Sequence, residues 1–531
     1  MVRVLLISSA SIGPLFISAL LKKEGHIVRR LYQGYKEYLG EPSAPFLTPL
    51  TEEELREFRP DVIGFSADTS CFDRAVEMAS EIKTILPSVY IVFGGPHPTV
   101  CPDEAIGKAS IDAICVGEGE YAMLELCNEI QVQKAPITVK NLWVQHNGEI
   151  YKNPQRPYSQ DLDSIPMDRE GIWYTGIYTG RGCVGRCTFC NVPTIRKCGP
   201  GGKYFRKRSF ESVLDEVQIV YESILKRRSL ASIVYKLLGR KKWVEPLRFK
   251  DGTFLGDRKW FLEFAKRLRK RFLMSIVDKL LASIVYKLLG RKKWVEPLRF
   301  KDDTFLGDRK WFLEFAKRLR KRFPNLTYLC QATANEIDEE VADWLKKSGC
   351  VQVLLGLETG SAKLRNDLLR KNVTDKQIST ACRLLRGQGI QILGSWMYGL
   401  PGETFPDMLR TFIMSVKEGD SSNLSFLTPL PGTELFDMAV AEGIIDANYH
   451  HGGVYRSVVL HKGEARLQVL MVSLIHALKD VRIPYDYRYI RRLGSRSDWR
   501  GKTIGEIIAE EMESAINSTH DNDGGIDGNQ S

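Results

Sequence analysis

Three cysteines in the segment GRGCVGRCTFCNVP, Cys183, Cys187 and Cys190, are spaced Cys-x3-Cys-x2-Cys. Thiolates this close in sequence can converge on one soft metal centre, because a short loop folds around it. Structural zinc is one reading; it wants four ligands and could recruit Cys198. Three core cysteines that happen to be neighbours are a second. The third is an iron–sulfur cluster, in which three cysteines leave one iron of four without a protein ligand, open to a small molecule. Arg181, Gly182, Gly185 and Arg186 make the segment too polar and flexible for a buried strand. Local chemistry therefore favours a [4Fe-4S] cluster over zinc. The remaining cysteines, at 71, 101, 115, 127, 198, 330, 350 and 382, are scattered singly and read as small buried core residues.

A loop of this kind needs rigid elements to hold it. It directly follows a strand-like GIYTG, which opens a strand–helix alternation over 176–440: GIYTGRGC, LRFKDDTF, LTYLCQAT, CVQVLLGLE, IQILGSWMYG and SNLSFLTP. Six such units, with one copy of an internal repeat set aside, predict a full or partial (β/α) barrel. Upstream, residues 1–140 alternate apolar strands (VRVLLIS, DVIGFSA, YIVFGGP, DAICVGEGE) with helices, the pattern of a Rossmann-like parallel α/β domain. Residues 141–175 read as a short hairpin and a proline-marked linker. Residues 441–512 read as a small, mostly helical extension, and 513–531 as a disordered tail poor in apolar residues.

The 531 residues, 43% of them apolar and 27% charged, describe an ordinary globular chain of about three to four domains. No stretch reaches the ~20 apolar residues of a membrane helix. The apolar start could pass for a signal peptide, but Ser8, Ser9, Ser11, Gly13 and Pro14 split it into strand, turn and helix, so a cytoplasmic location is expected. Residues 230–272 recur at 281–323 with one difference, Gly252 becoming Asp303. Two near-identical copies mark a recent tandem duplication or an assembly artefact rather than a stacked repeat architecture. Excising 230–280 would lower the net charge from +11 to +2, so the basic balance says little about nucleic acid, and no nucleic-acid partner is expected. The Trp260, Phe261, Phe264 and Leu268 stripe reads as helix core.

With the cysteines and the alternation in view, the sequence resembles the radical-SAM superfamily, in which an aromatic residue, here Phe189, precedes the last cysteine. The resemblance implies that Cys183, Cys187 and Cys190 ligate a [4Fe-4S] cluster. Its open iron would chelate S-adenosylmethionine, which is then reductively cleaved to methionine and a 5′-deoxyadenosyl radical. RFKDDTF is similar to the second barrel strand, placing Asp302 and Asp303 near the methionine amino group. GLETGSAKLRNDLLRKNVT is similar to the fourth, with Gly356 and Glu358 at the ribose. MYGLPGET and TPLPGTELFDMAVAEGII are similar to the fifth and sixth strand ends. Each of these pieces alone fits a solvated loop or a turn; their order after the cysteines carries the resemblance.

The first domain then resembles the cobalamin-binding domain of cobalamin-dependent radical-SAM proteins, through FGGPHPTVCPDEAI and ICVGEGE. The resemblance implies cobalamin contacts at Ser66, Gly94, Gly95, His97, Gly117 and Glu118. The Asp-x-His-x-x-Gly element that supplies a cobalt-ligating histidine is missing, with SSASIGP in its place. The implied activity is methylation of an unactivated carbon of an unknown small molecule, served by an external low-potential donor of flavodoxin or ferredoxin type. Radical cyclisation or rearrangement, or a non-catalytic protein disabled by the duplication, are the alternatives. The second repeat copy, which keeps Asp302 and Asp303, is expected in the barrel.

Overall fold

The computed structural model describes residues 1–8, 12–32, 51–168, 176–237 and 297–446. The tail, His450 and His451, and the first repeat copy beyond residue 237 lie outside the described residues.

The first sheet contains β1 (Arg3–Ser8), β2 (Ile27–Tyr32), β3 (Val62–Ser66), β4 (Tyr90–Gly94), β5 (Ala113–Cys115), β6 (Leu142–His146) and β7 (Glu149–Lys152). Its spatial order is β2-β1-β3-β4-β5-β6-β7. The first five strands run parallel and the last two antiparallel. Nearly every residue of β1 is buried, as a central strand covered by helices on both faces requires. The chain leaves β1 toward β2 and returns on the other side at β3, which makes a topological switch point, where open α/β sheets bind ligands beyond the strand ends.

Two readings change here. IVRRLY forms β2, which the sequence pattern did not single out, because Arg29 and Arg30 interrupt its apolar run at the sheet edge. The hairpin at 142–152 belongs to this sheet through Ala113↔Val144 pairing, so the boundary drawn at 140 divides a continuous ladder.

The second unit contains β8 (Gly176–Ile177), the short pair β9 (Gly180–Arg181) and β10 (Arg206–Lys207), then β11 (Leu298–Phe300), β12 (Tyr328–Ala332), β13 (Cys350–Glu358), β14 (Gln391–Tyr398) and β15 (Ser421–Phe426). Apart from β9 and β10, these strands form one parallel sheet in the order β15-β14-β13-β12-β11-β8. This is a partial six-stranded α/β barrel, consistent with the alternation read from the sequence.

The strand β11 comes from the second repeat copy and pairs with β8 on one side and β12 on the other. The helix Arg309–Arg322 that follows is capped by Asp308, whose carboxylate accepts from the Trp311 amide at 3.0 Å. It buries Phe312, Phe315, Ala316 and Leu319, a stripe at helical spacing, each larger side chain contributing about 1.5–3 kcal/mol. Phe300 and Phe305 stack at 4.7 Å, and Tyr328 meets Phe300 edge-on at 5.0 Å, closing the core between strand and helix.

The helix Phe210–Leu237 runs into the start of the first copy, LASIVYKL at 230–237, and the same eight letters recur at 281–288. Deleting 230–280 therefore restores the identical helix sequence and leads straight to β11. The deletion variant is expected to keep a cooperative thermal transition within a few degrees of the full chain by circular dichroism; loss of the transition would show that the first copy is needed for the fold.

Candidate functional site

The cysteines lie on the loop between β9 and the helix Asn191–Cys198, beside the carboxyl ends of the parallel strands. All three thiols are free and partly accessible. The Gly185 amide approaches Cys183 Sγ at 3.2 Å. A Cβ at Gly185 would sit 3.3 Å from Cys183 Sγ and 3.7 Å from Cys187 Sγ, so both sulfurs lie close beside this glycine. Burial pushes all three thiols up, Cys190 to about 12, while the Lys371 ammonium partly opposes it at Cys187. Three free thiols on one short loop are donors that fit a soft metal cluster, and ligation would have to displace their protons.

Backbone pairing alone does not place this loop. Thr188, buried, donates from its amide to Leu369 O at 3.2 Å and from its hydroxyl to Leu368 O at 2.7 Å. Its own carbonyl accepts from the Leu435 amide at 3.0 Å. Phe189 packs into a small apolar cluster with Leu364, Leu369, Met397, Leu400 and Leu427. In MYGLPGET, Glu403 accepts from the amides of Gly399 and Leu400 at 2.6 and 3.1 Å, which fixes the turn after β14.

The strand-end carboxylates divide into two groups. Asp302 is buried and accepts from the Thr179 amide at 3.0 Å and hydroxyl at 2.6 Å, with Lys207 Nζ at 3.4 Å. It ties β11 to the loop after β8, and its neighbour Asp303 is the one accessible to solvent. Protein around Asp303, with Asp302 adjacent, holds its carboxyl above the usual range, and its charge acts on Cys183 and Cys190.

Glu358 ends β13 after a bulge, at φ 65°, a left-handed conformation that a glutamate adopts only under tertiary constraint. Its Oε1 lies 2.8 Å from Lys371 Nζ, and both side chains are about nine-tenths buried. Burial works against the Lys371 charge, but Glu358 and the Cys187 thiol outweigh it and raise its pKa. A Cβ on Gly356 would meet Glu358 Oε1 at 2.6 Å and Lys371 Nζ at 2.8 Å, so glycine there makes room for the pair.

In the first domain, Ser66 ends β3 opposite Gly94 at the end of β4, with Gly95 following, and Gly117 and Glu118 follow β5. These five positions share the carboxyl edge of the sheet. Glu118 lies at the seam with the barrel: its Oε1 is 2.7 Å from Arg206 and 3.0 Å from Arg181. Burial opposes ionisation of Glu118, but the two guanidiniums outweigh it and hold the carboxyl below its usual range. Arg181 also pairs with Glu120 and lies over the Phe16 ring at 4.6 Å. A groove of about 530 Å³ beside the seam is lined by Glu118, Glu120, Lys140, Arg156 and Tyr158.

His97 is elsewhere. It is 2% exposed, stacked on Phe72 at 4.0 Å, and oriented toward Thr69 and Glu104 inside its own domain. Pro96 and Pro98 lie in the short helix directly after β4, which turns the His97 ring inward. Sequence reasoning also missed Thr179, Thr188, Lys371 and Arg206, single residues in ordinary contexts with no spacing signal. Of the scattered cysteines, Cys198 is exposed and Cys101 half-buried, so the core reading fails for both; the seam between the units, not a sheet interior, surrounds them.

Comparison with known proteins agrees with this two-part layout. Residues 8–127 match the B12 binding domain model, and residues 285–413 match the Radical SAM superfamily model. The chain thus joins a B12-binding domain to a radical-SAM domain. The chain is 24% identical to the uncharacterized methyltransferase PH0819 of Pyrococcus horikoshii, over 74% of its own length and 72% of that protein. It is 24% identical to the anaerobic magnesium-protoporphyrin IX monomethyl ester cyclase of Rubrivivax gelatinosus, over 73% of its own length and 60% of the cyclase. Its fold is similar to that of the radical S-adenosylmethionine methyltransferase TsrM from Kitasatospora setae, solved with cobalamin and a [4Fe-4S] cluster bound. That match has a TM-score of 0.56 and 17% identity, and covers 84% of this chain and 75% of TsrM. Among the described residues, no helix is long and apolar enough to cross a membrane.

Replacing Glu118 by Gln would leave Arg206, itself 3% exposed, without its countercharge. Denaturant unfolding at pH 7 should show a loss of about 3 kcal/mol, as for other broken buried pairs. Because the Glu118 pKa is depressed, its contribution is present above the ordinary carboxylate range and lost as pH falls through its folded value. The difference between the two chains should therefore shrink on acidification, and a constant difference would rule out this role.

Proposed function

We propose that the chain is a cobalamin-dependent radical-SAM methyltransferase acting on an unactivated carbon of a small molecule. The carrying observation is the Cys183, Cys187 and Cys190 loop at the strand ends of a six-stranded barrel, joined through Arg181 and Arg206 to the strand-end edge of the B12-binding domain. When bound, the cluster and cobalamin would supply one-electron cleavage of S-adenosylmethionine and the methyl group, with the electron from a flavodoxin- or ferredoxin-type donor.

The chain's own residues would do the rest. The three cysteines hold the cluster and leave one position for the amino and carboxylate groups of S-adenosylmethionine. Asp303, accessible and charged beside the cysteines, accepts from the amino group; Asp302, already committed to Thr179 and Lys207, fixes the strand end from which Asp303 projects. Glu358, held by Lys371, accepts from the ribose hydroxyls. Ser66, Gly94, Gly95, Gly117 and Glu118 form the edge against which cobalamin is bound. Radical ring formation is the second reading, favoured by the similarity to the cyclase of Rubrivivax gelatinosus.

Anaerobically reconstituted protein should release 5′-deoxyadenosine from S-adenosylmethionine under a low-potential reductant, and the triple cysteine-to-alanine chain should release none. Product that persists in the triple variant would sink the proposal. Label from the S-adenosylmethionine methyl group appearing in the product separates methylation from ring formation. Asp303→Asn should weaken S-adenosylmethionine binding at least ~10-fold with little change in stability, the worth of a charge-assisted hydrogen bond. Asp302→Asn should instead lower the melting temperature, since its bonds are within the protein.

A further inference from the structure

A second group of donor atoms lies away from the cysteine loop, in the first domain. His97, Cys101 and Glu104 follow one another at spacings of four and three, across the junction of the short helices Pro96–Val100 and Pro102–Ile106. One ligand atom from each lies within 4.8 Å of the other two. The His97 ring is 2% exposed, and its Nε2 is buried with no hydrogen-bond partner, 3.5 Å from Glu104 Oε2. A buried, unpaired ring nitrogen costs free energy unless something accepts its lone pair or its proton.

The surroundings preset this nitrogen as a ligand. Phe72 stacks on the ring at 4.0 Å and fixes its plane. Nδ1 is 3.3 Å from the Thr69 hydroxyl; with the proton on Nδ1 donated there, the Nε2 lone pair faces Cys101 and Glu104. A hydrogen bond on the other ring nitrogen is the usual way a metal-binding histidine is oriented. The two Glu104 oxygens have separate neighbours: Oε1 is 3.8 Å from Lys108, while Oε2 faces His97. Pro96, Pro98 and Pro102 stiffen the backbone between the three residues.

We propose that His97 Nε2, Cys101 Sγ and Glu104 Oε2 form a divalent-metal site of zinc type, distinct from the cluster cysteines. The nitrogen, sulfur and oxygen set suits a borderline ion, and three protein ligands leave the fourth tetrahedral position to water. Neutral imidazole, one thiolate and one carboxylate balance a 2+ ion, with the Cys101 thiol proton released to solvent on binding. The site adjoins the domain seam: the helix Pro96–Val100 packs against Asn191–Cys198, and Cys198 and Asp437 are near enough to act electrostatically on Cys101. Its metal would brace the contact between the helices Pro96–Val100 and Asn191–Cys198. The inference does not depend on the proposed methyl transfer, and its test reads no turnover.

The test uses the full-length chain with Cys183, Cys187 and Cys190 changed to alanine, so that no cluster thiolate competes, titrated with cobalt(II) without oxygen. One cobalt per chain is expected, with thiolate-to-metal charge-transfer absorption and tetrahedral d–d bands, displaced by one equivalent of zinc. Adding Cys101→Ser should abolish the charge-transfer band while the metal-free melting temperature and near-ultraviolet circular dichroism stay unchanged. Thr69→Val, which touches no metal, should keep the band but weaken binding ~10–100-fold, the usual effect of losing a histidine's outer partner. Cys198→Ser should leave both band and affinity intact. Absence of the band, its survival in Cys101→Ser, or its loss only in Cys198→Ser would overturn the proposal.

Discussion

Two guanidiniums flank the cysteine loop, Arg181 just before it on β9 and Arg206 opposite on β10, and Arg206 is almost wholly removed from water. A buried guanidinium without a countercharge costs several kcal/mol, and the countercharges here are on the other domain: Glu118 for both, and Glu120 for Arg181. The two domains therefore cannot separate without exposing or stranding charge. That constraint fixes the edge formed by β3, β4 and β5 against the loop that carries the thiols. Thr188 and Phe189 complete the placement from the barrel side, one by hydrogen bonds and the other by packing.

Inside the barrel, neighbouring carboxylates do different work because their partners differ. Asp302 is saturated by Thr179 and Lys207, so it acts on the backbone of β11 and the loop after β8. Asp303, one residue on, has its charge directed at the cysteines. Glu358 is held in a left-handed backbone conformation that its pair with Lys371 and the missing side chain at Gly356 make tolerable. Strain of this kind at a strand end is retained where a side chain has to be aimed.

The duplication illustrates how topology chooses between near-identical sequences. Both copies encode the same strand and the same amphipathic helix, and a parallel sheet has one place between β8 and β12. The second copy occupies it, since only that copy runs directly into the β12 strand without an intervening segment. It is also the copy with aspartate rather than glycine at the position beside the cysteines.

The sequence alone determined the cysteine spacing, the two strand–helix alternations and their order, because apolar periodicity and ligand spacing are local properties of the chain. It therefore reached the α/β class and the six parallel barrel strands. It did not reach β2, where two arginines mask an edge strand, or the attachment of the 142–152 hairpin to the first sheet. Nor could it tell Asp302 from Asp303, find Lys371, or turn His97 inward toward Glu104. Those depend on which groups meet once the chain has folded, across separations from 7 residues for His97 and Glu104 to 123 for Thr179 and Asp302, and electrostatics and burial decide them only then.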